Sequence, residues 1–159
     1  MNQAKEERRA AAESAAVERR RRHCLSLLHC LSRSNVMRYH HDGLVLELSE
    51  SGEEFSDIKK VRFSAYIAFW FTALTGVIER YEHLRNSGAL PPDEQIDSLL
   101  TEEFKAIVKP FRNSVAHCSD HDDSRTLRLY EVEHAVPDHA AALAGAFDSY
   151  LRRLLGEFP

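Results

Sequence analysis

Apolar residues in this chain recur mostly at intervals of three or four, the period of an α-helix with one buried face. The opening segment is different. Residues 1–22 are rich in Ala, Glu and Arg, all strong helix formers, but carry no large apolar stripe until Cys24, Leu25, Leu28 and Leu31. The pattern predicts a long first helix over residues 3–33, with residues 1–20 projecting or frayed. After it, "HHDG" at 40–43 has the composition of a turn, and "LVLEL" at 44–48 alternates as a short strand would. The acidic stretch "SESGEEFSD" at 49–57 then predicts a loop.

From Phe55 the positions Ile58, Val61, Tyr66, Ile67, Trp70, Leu74, Val77, Ile78, Tyr81 and Leu84 return to the helical period and predict the central helix of the fold. "NSGALPPDE" at 86–94 ends it, since Gly88 and the Pro91-Pro92 pair favour a turn. Ile96, Leu99, Leu100, Phe104, Ile107 and Val108 mark a third helix. Pro110 lacks an amide hydrogen and crowds the preceding turn, so a fresh helix is predicted to start there. "CSDHDDSR" at 118–125 predicts a loop, and "TLRLYEVEH" at 126–134 fits strand and helix equally. A last helix opens at Pro137 and Asp138 and carries Leu143, Phe147, Leu151, Leu154, Leu155 and Phe158 on one side. The sum is an all-α, up-and-down bundle of four to five helices with room for one small β ribbon.

With 159 residues, 43% hydrophobic, the chain has apolar material for one core, and residues 1–159 are expected to form a single domain. The longest uncharged run, between Arg62 and Glu79, includes Ser64, Thr72 and Thr75; it is expected to be a buried helix rather than a membrane span. No secretory signal pattern opens the sequence, and three cysteines without a CxxC pair suggest reduced thiols. A cytoplasmic location without membrane attachment is the expectation. The net charge of −4 gives no global attraction for nucleic acid, but charge is uneven. Arg19, Arg20, Arg21 and Arg22 form a basic run, commonly a solvated face and here also a candidate strip for RNA phosphates. Residues 42–58 hold six carboxylates and no basic side chain.

The stretch "KPFRNSVAHCSD" at 109–120 is the candidate for chemistry. On a helix turning about 100° per residue, Phe111, Val115 and Cys118 share one face, while Arg112, Asn113, Ala116 and His117 fill the other. Asn113 and His117 stand one turn apart, and Ala116 offers a methyl floor beside Arg112. A neutral His can take the proton of a ribose 2′-hydroxyl or give one to the leaving oxygen. Arg presents a fork of donors to phosphate oxygens, and the Asn amide can orient either group. One imidazole does not readily serve as base and acid together, so a symmetric partner supplying a second copy would complete the chemistry.

Arg112-Asn113-Ser114-Val115-Ala116-His117 resembles the signature of the HEPN superfamily: an Arg, a polar residue that is commonly Asn, a few variable residues and a His, on a late helix after two long antiparallel ones. The resemblance spans residues 20–157, and its specific part is these six residues. It implies a metal-independent endoribonuclease that leaves a 2′,3′-cyclic phosphate, usually a toxin or effector of bacterial defence or stress systems. It also implies a homodimer with the two motifs meeting, an RNA substrate, no cofactor, and a protein antitoxin or other regulatory partner. Arg112, Asn113 and His117 carry over as catalytic positions. Members silenced by nucleotidylation have Tyr two residues after the His; Ser119 stands there, which argues against that form of inhibition.

Other readings compete. His117, Cys118, Asp120, His121, Asp122 and Asp123 invite a metal, but no Glu follows the first His as a zinc protease requires, so no metal site is assigned. "ERYEH" at 79–83 holds a second Arg-to-His pair, read as solvated charges at a helix end because Tyr81 is in the apolar register. His40, His41 and Asp42 read as a turn, and Trp70 as core. Glycine-rich phosphate loops, GxSxG elbows and paired-cysteine zinc frames do not occur. The alternative to a ribonuclease is a non-catalytic helical module for dimerisation or for binding a ligand or RNA.

Overall fold

The computed structural model describes residues 2–51, 56–117 and 135–157, with side-chain environments for residues 5–50, 56–110 and 136–157. Five helices occur among the described residues: α1 Asn2–Ser51, α2 Asp57–Asn86, α3 Glu94–Leu99, α4 Glu102–His117 and α5 Ala135–Gly156. They make an all-α bundle in which α2 packs against α1 and α4, and α5 packs against α1 and α3. Helices α1 and α2 are antiparallel, because their contacts run in reverse order. His23 meets Arg80, Ser34 donates to the Trp70 carbonyl at 3.3 Å, His40 stacks on Tyr66, and Glu47 pairs with Lys59 at 3.1 Å.

The core forms where the apolar faces converge. Helix α2 supplies Ile67, Trp70, Phe71, Leu74, Val77, Ile78 and Tyr81; α1 adds Cys24, Leu27 and Leu31; α5 adds Leu143, Phe147, Tyr150 and Leu151. Each large apolar side chain buried here contributes roughly 1.5–3 kcal/mol relative to exposure. Tyr81 sets its ring edge-on to Phe147 and Tyr150, at 5.3 and 5.7 Å. Its hydroxyl accepts from the Asp93 amide at 3.1 Å, so the aromatic core also holds the loop before α3.

The turn expected at 40–43 and the strand expected at 44–48 are both absent; α1 runs through them unbroken. The reason is tertiary. The buried positions Cys24, Leu27, Leu31, Ser34, His41 and Leu44 keep close to a seven-residue repeat, a seam that stays on α2 only while the helix continues. His41 is 3% exposed, between Phe63 and Trp70, and its Nδ1 donates to Asp42 at 2.9 Å. Packing on that side outweighs the cost of Gly43 in a helix, roughly 1 kcal/mol. The apparent alternation of "LVLEL" breaks down too, since Leu44 is buried while Leu46 is 57% exposed. Leu25, expected in the apolar stripe, is exposed, and Leu27 takes its place.

The helix expected across 96–108 is two. Leu100 leaves helical geometry, and Thr101 starts α4 by accepting the Phe104 amide on its hydroxyl at 3.1 Å, with Glu102 and Glu103 in the first turn. The fresh start expected at Pro110 is overturned as well, because α4 passes through it. Pro110 and Ala106 both lie on the exposed side, where water can reach the Ala106 carbonyl that the missing N–H would have bonded.

Ile58 and Val61, expected in the core, are 75% and 70% exposed. By length and composition α2 could cross a membrane, in contrast to the shorter run read from the sequence, yet half of its most apolar window is buried within the bundle. That is consistent with the core helix of a soluble protein. Residues 52–55 of the expected acidic loop, the expected loop at 118–125, the open segment 126–134 and Phe158 lie outside the described residues.

Candidate functional site

Helix α4 holds Arg112, Asn113 and His117 within its last turns, on a backbone that stays helical to His117. Its register is fixed upstream. Phe104 and Val108 are buried against the core, whereas Ala106, Lys109 and Pro110 are exposed. Continuing at about 100° per residue, positions 111 and 115 extend the buried row, and positions 113 and 117 extend the row of Ala106 and Pro110. Position 112 lies between them, in line with Lys105. The backbone therefore keeps Asn113 and His117 in one row away from the core, with Arg112 about 140° around the helix from His117 and about 7.5 Å along it. Their side chains lie outside the described environments.

The start of α4 is anchored by charge. Lys105 pairs with Glu82 of α2 at 3.0 Å and also with Glu102, and hydrogen bonds to Glu102 and Glu82 hold its ammonium above its ordinary range. From the other side, Phe104 meets the His139 ring of α5 at 4.6 Å, and His139 Nε2 donates to the Leu99 carbonyl at 2.7 Å, closing the end of α3. His139 and Thr101 position the motif helix. A Thr followed by two Glu was a legible start signal; the role of His139 depends on a contact forty residues away in sequence.

Arg19, Arg20, Arg21 and Arg22 lie on an exposed part of α1. Glu18 faces Arg21 at 3.9 Å and Arg22 at 3.8 Å, long contacts between exposed groups that contribute little. The fold brings this run to α2 through His23, whose Nδ1 accepts from the Arg80 guanidinium at 3.5 Å. Burial pushes the His23 imidazole below its ordinary range, and the cations of Arg80, Arg19, Arg22 and His83 push the same way. "ERYEH", read as solvated charges, supplies Arg80 and His83 to this cluster.

Among the described residues no group of three or more His, Cys, Asp or Glu is placed to hold a metal ion; Cys118 to Asp123 fall outside them. Cys24 is buried and its thiol pushed up by burial, against a pull from Arg20, while Cys30 is exposed. Trp70 is core, as expected, at 1% exposure. No family model, curated protein or solved structure matches the chain.

Proposed function

We propose that this protein is a metal-independent endoribonuclease of HEPN type, acting in the cytoplasm as a toxin or effector of a bacterial defence or stress response. His117 moves the proton, Arg112 binds the scissile phosphate and Asn113 positions. The observation that carries the reading is the unbroken α4: Pro110 does not interrupt it, so an Arg, an amide and an imidazole ride on one rigid element whose opposite row is packed in the core. A ribose hydroxyl attacks the adjacent phosphorus, the 5′-oxygen leaves with a proton, and a 2′,3′-cyclic phosphate remains. A second copy of the chain supplies the other imidazole, and a protein antitoxin or regulatory partner restrains the pair.

The test is incubation of the purified protein with RNA in excess EDTA. Cleavage to cyclic phosphate ends is expected, with DNA left intact, and His117→Ala should lower the rate by at least about 100-fold. An obligatory divalent metal would overturn the mechanism. A non-catalytic dimerisation or binding module is the second reading. One observation favours it, the outward row of Ile58, Val61 and Phe69 on α2, each more than half exposed; an inert wild type in that assay is the outcome that would select it.

A further inference from the structure

We infer that Arg19 and Arg22 of α1 with Arg80 and His83 of α2 form a second site, built around His23, that grips the phosphate backbone of an RNA strand. The choice of RNA rests on the ribonuclease reading; the phosphate grip rests on the cluster itself.

The cluster crosses two helices and gathers more cationic than anionic groups. Among the described residues Arg19 and Arg80 have no carboxylate partner, and Arg22 shares Glu18 with Arg21 at distances that hold neither firmly. Glu79 adjoins Arg80 in sequence, and Glu157, just after α5, acts on Cys24 next to His23. Arg80 instead meets the His23 imidazole at 3.5 Å; Arg19 stands one helical turn before His23 on α1 and His83 one turn after Arg80 on α2, and the charges of Arg19, Arg22 and His83 act on that ring. Gathering like charges disfavours the free protein, and a polyanion seated there relieves it. Planar guanidinium forks match phosphate oxygens, and exposed Arg19, Arg22 and Arg80 have donors free for them. Asp42, Glu47 and Glu50 lie toward the far end of α1, with Asp57 at the facing start of α2, so a strand is steered to the basic end. A lipid surface fits poorly, because residues 5–22 offer Val17 as their one large apolar side chain, too little for an interfacial helix.

His23 adds a signature. Partial burial and the neighbouring cations push its imidazole below the ordinary range, so it gains a reason to protonate once phosphate arrives, and binding takes up a proton and tightens as pH falls.

The experiment measures anisotropy of a fluorescent single-stranded RNA with full-length His117→Ala protein, which leaves RNA uncut and the cluster untouched. Arg19→Gln with Arg80→Gln should weaken binding roughly tenfold and reduce the slope of log affinity against log salt by roughly 1.4, about 0.7 per lost contact. His23→Gln should remove the tightening at low pH. The control pair Arg33→Gln with Arg62→Gln removes the same charge elsewhere, and circular dichroism checks each fold. An unchanged slope, an equal loss in the control pair, or binding to anionic vesicles but not to RNA would overturn the proposal. Wild type that binds RNA through this cluster yet leaves it uncut would instead sink the ribonuclease reading alone.

Discussion

Ala116 stands between Arg112 and His117 in the helical register, about 40° from the first and one residue before the second. In the proposed site its methyl leaves room for a phosphate and for the partner's helix. Ala116→Leu keeps a good helix former and removes no contact of the buried row, so circular dichroism and melting temperature should stay near wild type. Ribonuclease activity should nevertheless fall nearly as far as in His117→Ala. Retained activity with an intact fold would mean that Arg112 and His117 do not act across that floor, and an unfolded variant would mean that position 116 belongs to the core. Elsewhere in the bundle, buried polar groups differ in how they are satisfied. Tyr150 sets its hydroxyl on the Pro91 carbonyl at 2.7 Å and burial pushes it up, whereas Trp70 Nε1 is buried with no partner among the described residues.

At the scale of elements, Gly43 separates two readings of α1. It is exposed within the helix, and a Cβ built there meets nothing within 4 Å. Gly43→Ala should therefore stabilise the protein by roughly 0.5–1 kcal/mol in urea unfolding, the gain from removing glycine's freedom inside a helix. A turn with positive φ would give destabilisation instead, as is expected at Gly88, whose φ is 71°. This position also shows what the sequence made legible. The central helix could be read from Ile67, Trp70, Leu74, Val77 and Tyr81, because a strong periodic stripe reports its own buried face. The continuation of α1 could not, since it depends on His41 packing against Phe63 and Trp70, and a polar residue beside Asp and Gly looks locally like a turn. Ile58 and Val61 misled in the opposite sense, apolar residues on a face that nothing described covers. Of the candidate site, the spacing of Arg112, Asn113 and His117 was legible, while the joining of Arg19 and Arg22 to Arg80 was not. Charges brought together by two antiparallel helices leave no pattern in a one-dimensional string.

For the whole molecule, the proposed chemistry requires two chains. Light scattering at micromolar concentration should give about twice the 18.2 kDa of one chain, and a strictly monomeric active enzyme would sink the symmetric site. The 50-residue α1 sets a different property of the molecule. At about 1.5 Å per residue it is some 75 Å long, yet its side chains from Lys5 to Arg22 all face solvent, and tertiary contact begins at His23 and full burial at Cys24. One helix thus obeys two kinds of thermodynamics. From Cys24 onward its turns melt together with the bundle, in a single cooperative step. Before Cys24 each turn is held by its own hydrogen bonds on a nucleus that the packed part supplies, and such helix is marginal in water. On warming, that arm unwinds gradually from its outer end while the core is still intact, so the protein loses helix well before it loses its fold.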